Sequence, residues 1–124
     1  MSLLFVKALL RLIQFDFYLM RGNFAALHRK VQTYPIRNSN APPGIVERVC
    51  SAVDLACIWY PKEALCLQRS AAAACLLRSM GVPAQMVIGV QKLPFKAHAW
   101  VEVEGNVVND KPYTREMYAV LDRC

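Results

Sequence analysis

Ala64-Leu65-Cys66-Leu67-Gln68-Arg69-Ser70 joins a proline-marked break, Tyr60-Pro61-Lys62-Glu63, to a long alanine-rich run. The run predicts a helix from about Leu65 to Met80, stopped by Gly81 with Pro83 just beyond. Its middle, Ser70-Ala71-Ala72-Ala73-Ala74-Cys75, carries small side chains, so such a helix can pack closely against a sheet. Cys66 falls in the first turn. There the unpaired backbone N–H groups and the positive end of the helix dipole favour a thiolate. Cys75 lies in the helix body and lacks that advantage.

After Gly81 the apolar period changes from helical to alternating. Gln85 to Gln91 reads as a strand, Lys92-Leu93-Pro94-Phe95 as a turn, and Lys96 to Val103 as a second strand. In the second strand Ala97, Ala99, Val101 and Val103 share one face, and His98, Trp100 and Glu102 share the other. Asn106 to Asn109 reads as a third strand, ended by Asp110 and Pro112. A two-residue loop between the last two strands would place His98 and Asp110 on opposite faces. A three-residue loop, Val103-Glu104-Gly105, pairs them directly and gives Gly105 the left-handed position of a bulged turn. The three-residue register is the one expected, since it brings the two side chains within hydrogen-bonding reach.

A thiol, an imidazole and a carboxylate in that order point to a cysteine nucleophile with its base and orienter. In this reading Cys66 attacks a carbonyl carbon and His98 takes the thiol proton, later protonating the leaving amine. Asp110 orients the imidazole. The oxyanion lies near the backbone N–H of Cys66. A second donor is not identified; Trp59 and Tyr60, just upstream, are weak candidates.

Residues 3–20 are apolar on too many sides for a simple surface helix. Either one stripe faces the core and another a partner, or the helix is buried within its own domain. Lys7, Arg11 and Asp16 interrupt the segment, so neither a membrane span nor a signal peptide fits it. Arg21-Gly22-Asn23 reads as a helix stop. Phe24 to Tyr34 is a short helix or irregular segment, with His28 a surface residue. Pro35 to Gly44 is the clearest loop, and Ile45 to Trp59 a helix in which Cys50 and Cys57 share a face as small buried hydrophobes. The tail from Tyr113 to Cys124 is a short mixed segment. The domains expected are a helical N-terminal region and loop over 1–44 and a catalytic core over 45–124.

The chain has 124 residues, enough for one domain with a core of its own. It is 56% hydrophobic and only 19% charged, which leaves apolar surface for a partner. The net charge of +6 is scattered, without a basic run or nucleic-acid-binding motif, so nucleic acid is not the expected partner. Five cysteines without paired short spacings give neither a zinc site nor a disulfide framework, and point to a reducing cytoplasm.

Several ordered motifs resemble one known family. They are Cys66-Leu67-x-Arg69-Ser70, Leu76-Leu77-Arg78-x-x-Gly81-x-Pro83-Ala84, Val87-Ile88-Gly89-Val90, Pro94-Phe95-x-Ala97-His98-Ala99-Trp100-Val101-Glu102, then Gly105 and Val107-Val108-Asn109-Asp110. Together they resemble the lasso-peptide leader peptidases, bacterial transglutaminase-like cysteine proteases. The resemblance covers roughly Pro61 to Asp110; positions 1–60 match only loosely.

It implies an α+β, papain-like or transglutaminase-like core, with the catalytic cysteine at a helix N-terminus packed on a small antiparallel sheet. It carries the triad onto Cys66, His98 and Asp110, with no cofactor and no metal. The implied substrate is a ribosomally made lasso precursor, cut once at the leader–core junction, typically after a leader whose next-to-last residue is threonine. The implied partners are a separate leader-binding protein, since this length leaves no room for a fused one, and an ATP-dependent macrolactam cyclase that receives the freed core. The apolar N-terminal helix is a docking candidate. The same triad also serves transglutaminases and acyltransferases, and a non-catalytic peptide-binding module is the reading outside enzymology.

Overall fold

The computed structural model describes residues 3–37, 40–92 and 94–124; the Asn38-Ser39 part of the expected loop and Leu93 of the expected turn lie outside the described residues. Helices α1 (Leu3–Met20), α2 (Phe24–Thr33), α3 (Ile45–Trp59) and α4 (Cys66–Ser79) come first. Strands β1 (Ala84–Lys92), β2 (Phe95–Val103) and β3 (Asn106–Val107) follow, then α5 (Thr114–Met117) and β4 (Ala119–Arg123). The sheet is antiparallel, in the order β3-β2-β1-β4. This is the α+β architecture that the change of apolar period predicts.

Helix α4 is the centre of the molecule. Every residue from Ser70 to Arg78 is buried, so the helix is covered on all sides. Only small side chains allow that: Ala71 to Ala74 let α1 and α3 approach on one side and β1 and β2 on the other. From α1 the core takes Ala8, Leu12 and Phe15; from α3, Val49, Val53 and Ala56; from the sheet, Met86 and Val101. Among the described residues, no helix is long and apolar enough to cross a membrane.

Two local readings need correction. The tail is not merely a mixed segment: β4 pairs with β1 and completes the sheet, with Cys124 and Met86 exchanging backbone hydrogen bonds of 2.8 and 2.9 Å. The β2–β3 loop has two residues, not three. Glu102 pairs with Val107 and Val103 with Asn106, leaving Glu104 (φ 52°) and Gly105 (φ 81°) as a left-handed turn whose twist suits a hairpin.

The buried guanidinium of Arg78 ties the layers together. Its Nε donates to Ala84 O at 2.7 Å and its Nη2 to Cys124 O at 2.5 Å, while Nη1 reaches Val31 O and, at 3.4 Å, Tyr34 O. One side chain thus closes the C-terminal end of α2, the start of β1 and the end of the chain.

Candidate active site

Cys66 is the first residue of α4 and is half-buried. No side chain caps this helix start from Leu65; instead Gln68, itself buried, accepts the Leu65 N–H through Oε1 at 3.4 Å. The Gln68 amide donates to Leu12 O at 2.6 Å, so α1 anchors the first turn of α4. The backbone N–H of Cys66 stays directed out of the helix start, as an oxyanion donor must be.

His98 and Asp110 meet as expected, by a different route. His98 Nε2 lies 2.6 Å from Asp110 Oδ2. Had the two-residue register continued, Ala99 would oppose Asp110 and the carboxylate would point to the wrong face. The ladder stops instead. Val108 N–H still donates to Val101 O at 3.0 Å, but the next partner of Val101 is a side chain, Asn109 Oδ1, which accepts its N–H at 2.7 Å. With that bond satisfied from a side chain, the backbone is free to leave the sheet and carry Asp110 round to His98. Asn109 also donates to Ser70 Oγ at 3.2 Å, and Ser70 donates to Ala99 O at 3.0 Å, which pins this exit to α4.

The link to Cys66 runs along α4. Arg69, three residues after Cys66, places Nη2 3.8 Å from the same Asp110 Oδ2 that holds His98. Ser70, four residues after it, touches β2. Positions i+3 and i+4 share the face of residue i on a helix, so Cys66 belongs to the face turned toward this pair. Among the described residues no hydrogen bond joins the Cys66 thiol to His98. Because Nε2 is engaged by Asp110, Nδ1 is the ring nitrogen left for a thiol.

Of the groups around the imidazole, sequence reading puts Trp100 on the His98 face of β2 as a candidate wall of the site, but misses Tyr118. Tyr118, just before β4, stacks on the His98 ring at 5.4 Å between centroids, and Trp100 lies at 6.1 Å. Trp100 is fully buried and donates through Nε1 to Glu102 at 2.9 Å; Arg123 holds that carboxylate at 2.6 Å. Gly89 sits opposite His98 in β1, and a Cβ there would lie 2.7 Å from the Trp100 ring and 2.9 Å from Tyr118 Cβ. Gly89→Ala should therefore push both rings against the imidazole and cost about 1–3 kcal/mol in thermal unfolding. For Tyr118 the one sequence signal was Gly89, a glycine inside a strand pattern.

Burial tends to raise the Asp110 carboxyl, but the His98 hydrogen bond, the Lys111 N–H and the charge of Arg69 outweigh it and hold the group below the usual range. Glu102 is lowered in the same way: burial is overcome by the bonds from Trp100 and Arg123. A lowered folded-state value contributes stability that is full above the unfolded carboxyl range of about 3.9–4.3 and is lost as pH falls through the folded value. Acid titration followed by circular dichroism should show stability flat above that range and falling below it.

Burial pushes Cys50, Cys75 and Cys124 up to about 11, and raises Cys57 as well. Peptide mass spectrometry after iodoacetamide at neutral pH should find Cys66 labelled at least about tenfold faster than these four. Equal slow labelling would remove the case for a reactive Cys66. His28 lies elsewhere and pairs with Asp122 of β4. The Tyr60 hydroxyl donates to Asp16 at 2.5 Å, so it is spent as an oxyanion donor, and Trp59 is largely exposed. Among the described residues no cluster could hold a metal ion.

A thiol at a helix start, free N–H groups and a His–Asp pair form a set suited to acyl transfer. Comparison with known proteins adds two findings. Residues 9–123 match the transglutaminase-like superfamily. Over 56 residues the chain is 45% identical to the microcin J25-processing protein McjB of Escherichia coli, a stretch that is 45% of this chain and 27% of that relative. The match thus spans about a quarter of the curated relative's length. No solved structure matches the chain.

Proposed function

The chain belongs to the transglutaminase-like superfamily, and on that premise we propose that it is a cysteine endopeptidase that removes the leader from a ribosomally made lasso-peptide precursor. The observation that carries the proposal is the 2.6 Å contact of His98 Nε2 with Asp110 Oδ2, joined through Arg69 to the helix that begins at Cys66. The similarity to a microcin J25-processing protein supports a peptide substrate of this class.

The chemistry has two halves. His98 takes the Cys66 proton through Nδ1, and the thiolate attacks the carbonyl at the leader–core junction. The tetrahedral oxyanion is met by the Cys66 N–H. His98 then protonates the departing amine of the core, leaving the leader as a thioester on Cys66. Water, deprotonated by His98, hydrolyses the thioester and restores the thiol. Asp110 keeps the proton on Nε2, so that Nδ1 is the basic nitrogen throughout. No cofactor is required. The enzyme acts in a reducing cytoplasm, in keeping with five free cysteines. It works with a separate leader-binding protein and hands the core to an ATP-dependent macrolactam cyclase.

The test is to mix the full chain with a lasso precursor, with and without a leader-binding partner, and read the products by mass spectrometry. One cut at the leader–core junction, absent with Cys66→Ala, is the expected result. A new isopeptide bond in place of hydrolysis would make it an acyltransferase. An intact precursor in every arm would leave the non-catalytic binding module as the better reading.

A further inference from the structure

Helix α1 has one face too many. Leu4, Phe5, Ala8, Leu12 and Phe15 are buried in the core, as an amphipathic helix requires. Solvent should then meet polar side chains. It does not: within α1 the exposed positions are Leu3, Val6, Leu10, Ile13, Phe17 and Met20, each between 41% and 71% exposed, and all are apolar. They follow one another at alternating steps of three and four residues, the spacing of a coiled-coil seam. From Leu3 to Met20 the seam is about 25 Å long at 1.5 Å per residue.

The flanks say what fits it. Along one side run Lys7, Gln14 and Arg21, seven residues apart. Among the described residues neither Lys7 nor Arg21 has a carboxylate partner; Arg21 lies over the Phe17 ring at 4.3 Å. Along the other side are Leu9 and Asp16. Asp16 is already held by Lys62 at 2.9 Å and by the Tyr60 hydroxyl. The free charge beside the seam is therefore positive. Two copies packed antiparallel in full overlap would set Lys7 against Gln14 of the other copy and give neither Lys7 nor Arg21 a carboxylate. Packed parallel, they would offer Arg21 only the engaged Asp16. A lipid surface would be met by a broad apolar face with basic residues on both sides, whereas this is a narrow seam with basic residues on one.

We propose that the outward face of α1 docks an amphipathic helix of a partner protein, with apolar residues at heptad spacing and acidic residues on the flank that meets Lys7 and Arg21. The docked helix would close knobs into holes along the seam, and its carboxylates would pair with the two free cations. This inference stands apart from the peptidase reading, because its test reads binding and not turnover.

The probe is a synthetic peptide of roughly three heptads with leucine at the seam positions and glutamate on both flanks, which keeps it from pairing with itself. A second peptide carries lysine on the flanks. Fluorescence anisotropy with the full chain should show the glutamate peptide binding at least about tenfold more tightly than the lysine peptide. Leu10→Glu with Ile13→Glu, both at exposed positions, should abolish binding with the circular dichroism spectrum unchanged. Lys7→Glu with Arg21→Glu leaves the seam intact and should reverse the preference between peptides, which keeps the test decisive if the first variant misfolds. Absence of glutamate-peptide binding, or equal binding by all variants, would overturn the proposal. So would a dimer in sedimentation velocity that Leu10→Glu dissolves, which would assign the seam to a second copy. Capture by phosphatidylglycerol vesicles, lost in the same variant, would assign it to lipid.

Discussion

His98→Ala should lower turnover on a lasso precursor by about a thousandfold or more, with only a modest fall in the unfolding midpoint. The imidazole is partly exposed and makes one hydrogen bond, to Asp110. The ring also stacks on Tyr118, and Asp110 loses its partner, so a stability cost of about 1–2 kcal/mol goes with it. The chemical cost is large because the same ring both activates the thiol and protonates the leaving amine. Cys66→Ala should be at least as damaging. The double variant should be no worse than Cys66→Ala alone, since a base without its nucleophile has nothing to activate. Strictly additive losses, measured as kcat/KM on one precursor, would mean that the two residues do not act as a unit.

The largest effect on folding is expected at Arg78. Arg78→Met keeps much of the buried stem but removes donors from Ala84 O, Cys124 O, Val31 O and Tyr34 O. Each buried carbonyl left without a donor costs about 1–3 kcal/mol, and some will recover a water, so a loss of about 3–5 kcal/mol is expected in urea unfolding. That is a large share of the total of about 5–15 kcal/mol available to a domain. Arg78→Lys should recover little, because an ammonium cannot reach carbonyls on three elements with a fixed fork. A change under about 1 kcal/mol would mean that water replaces the guanidinium freely. Activity offers a second readout. The β1 start and the chain end that Arg78 holds frame Gly89 and Tyr118, which contact the His98 surroundings.

The helices were legible because their apolar residues recur at helical spacing and their ends carry Gly or Pro. Ile45–Trp59 and Leu3–Met20 fall where the pattern puts them. Cys66 at the start of α4 was legible for the same reason. The His98–Asp110 contact was legible as a pairing of types and spacing, yet the loop argument behind it was wrong. Turn length decides register only while the ladder continues, and here Asn109 ends it by taking the Val101 N–H. A side chain that replaces a backbone partner leaves no periodic mark in a sequence. Tyr118 and Arg78 were hidden for a related reason. Each acts on residues far along the chain, and Tyr118 reaches His98 only once β4 has paired with β1. The seam on α1 was half legible. Its apolar residues were plain, but which of them face outward depends on where α3 and α4 pack.

The most direct test of the central claim is to trap the covalent intermediate on Cys66. The full chain is mixed with a lasso precursor and its leader-binding partner, quenched in acid within the first turnover, and read by intact-protein mass spectrometry with peptide mapping. The account predicts an adduct with the mass of the free leader peptide less water, located on Cys66 and released by hydroxylamine. It also predicts no adduct and no cut once Cys66 is alkylated. A precursor that is still cut at the leader–core junction by Cys66-alkylated protein would contradict it, because the nucleophile would then lie elsewhere.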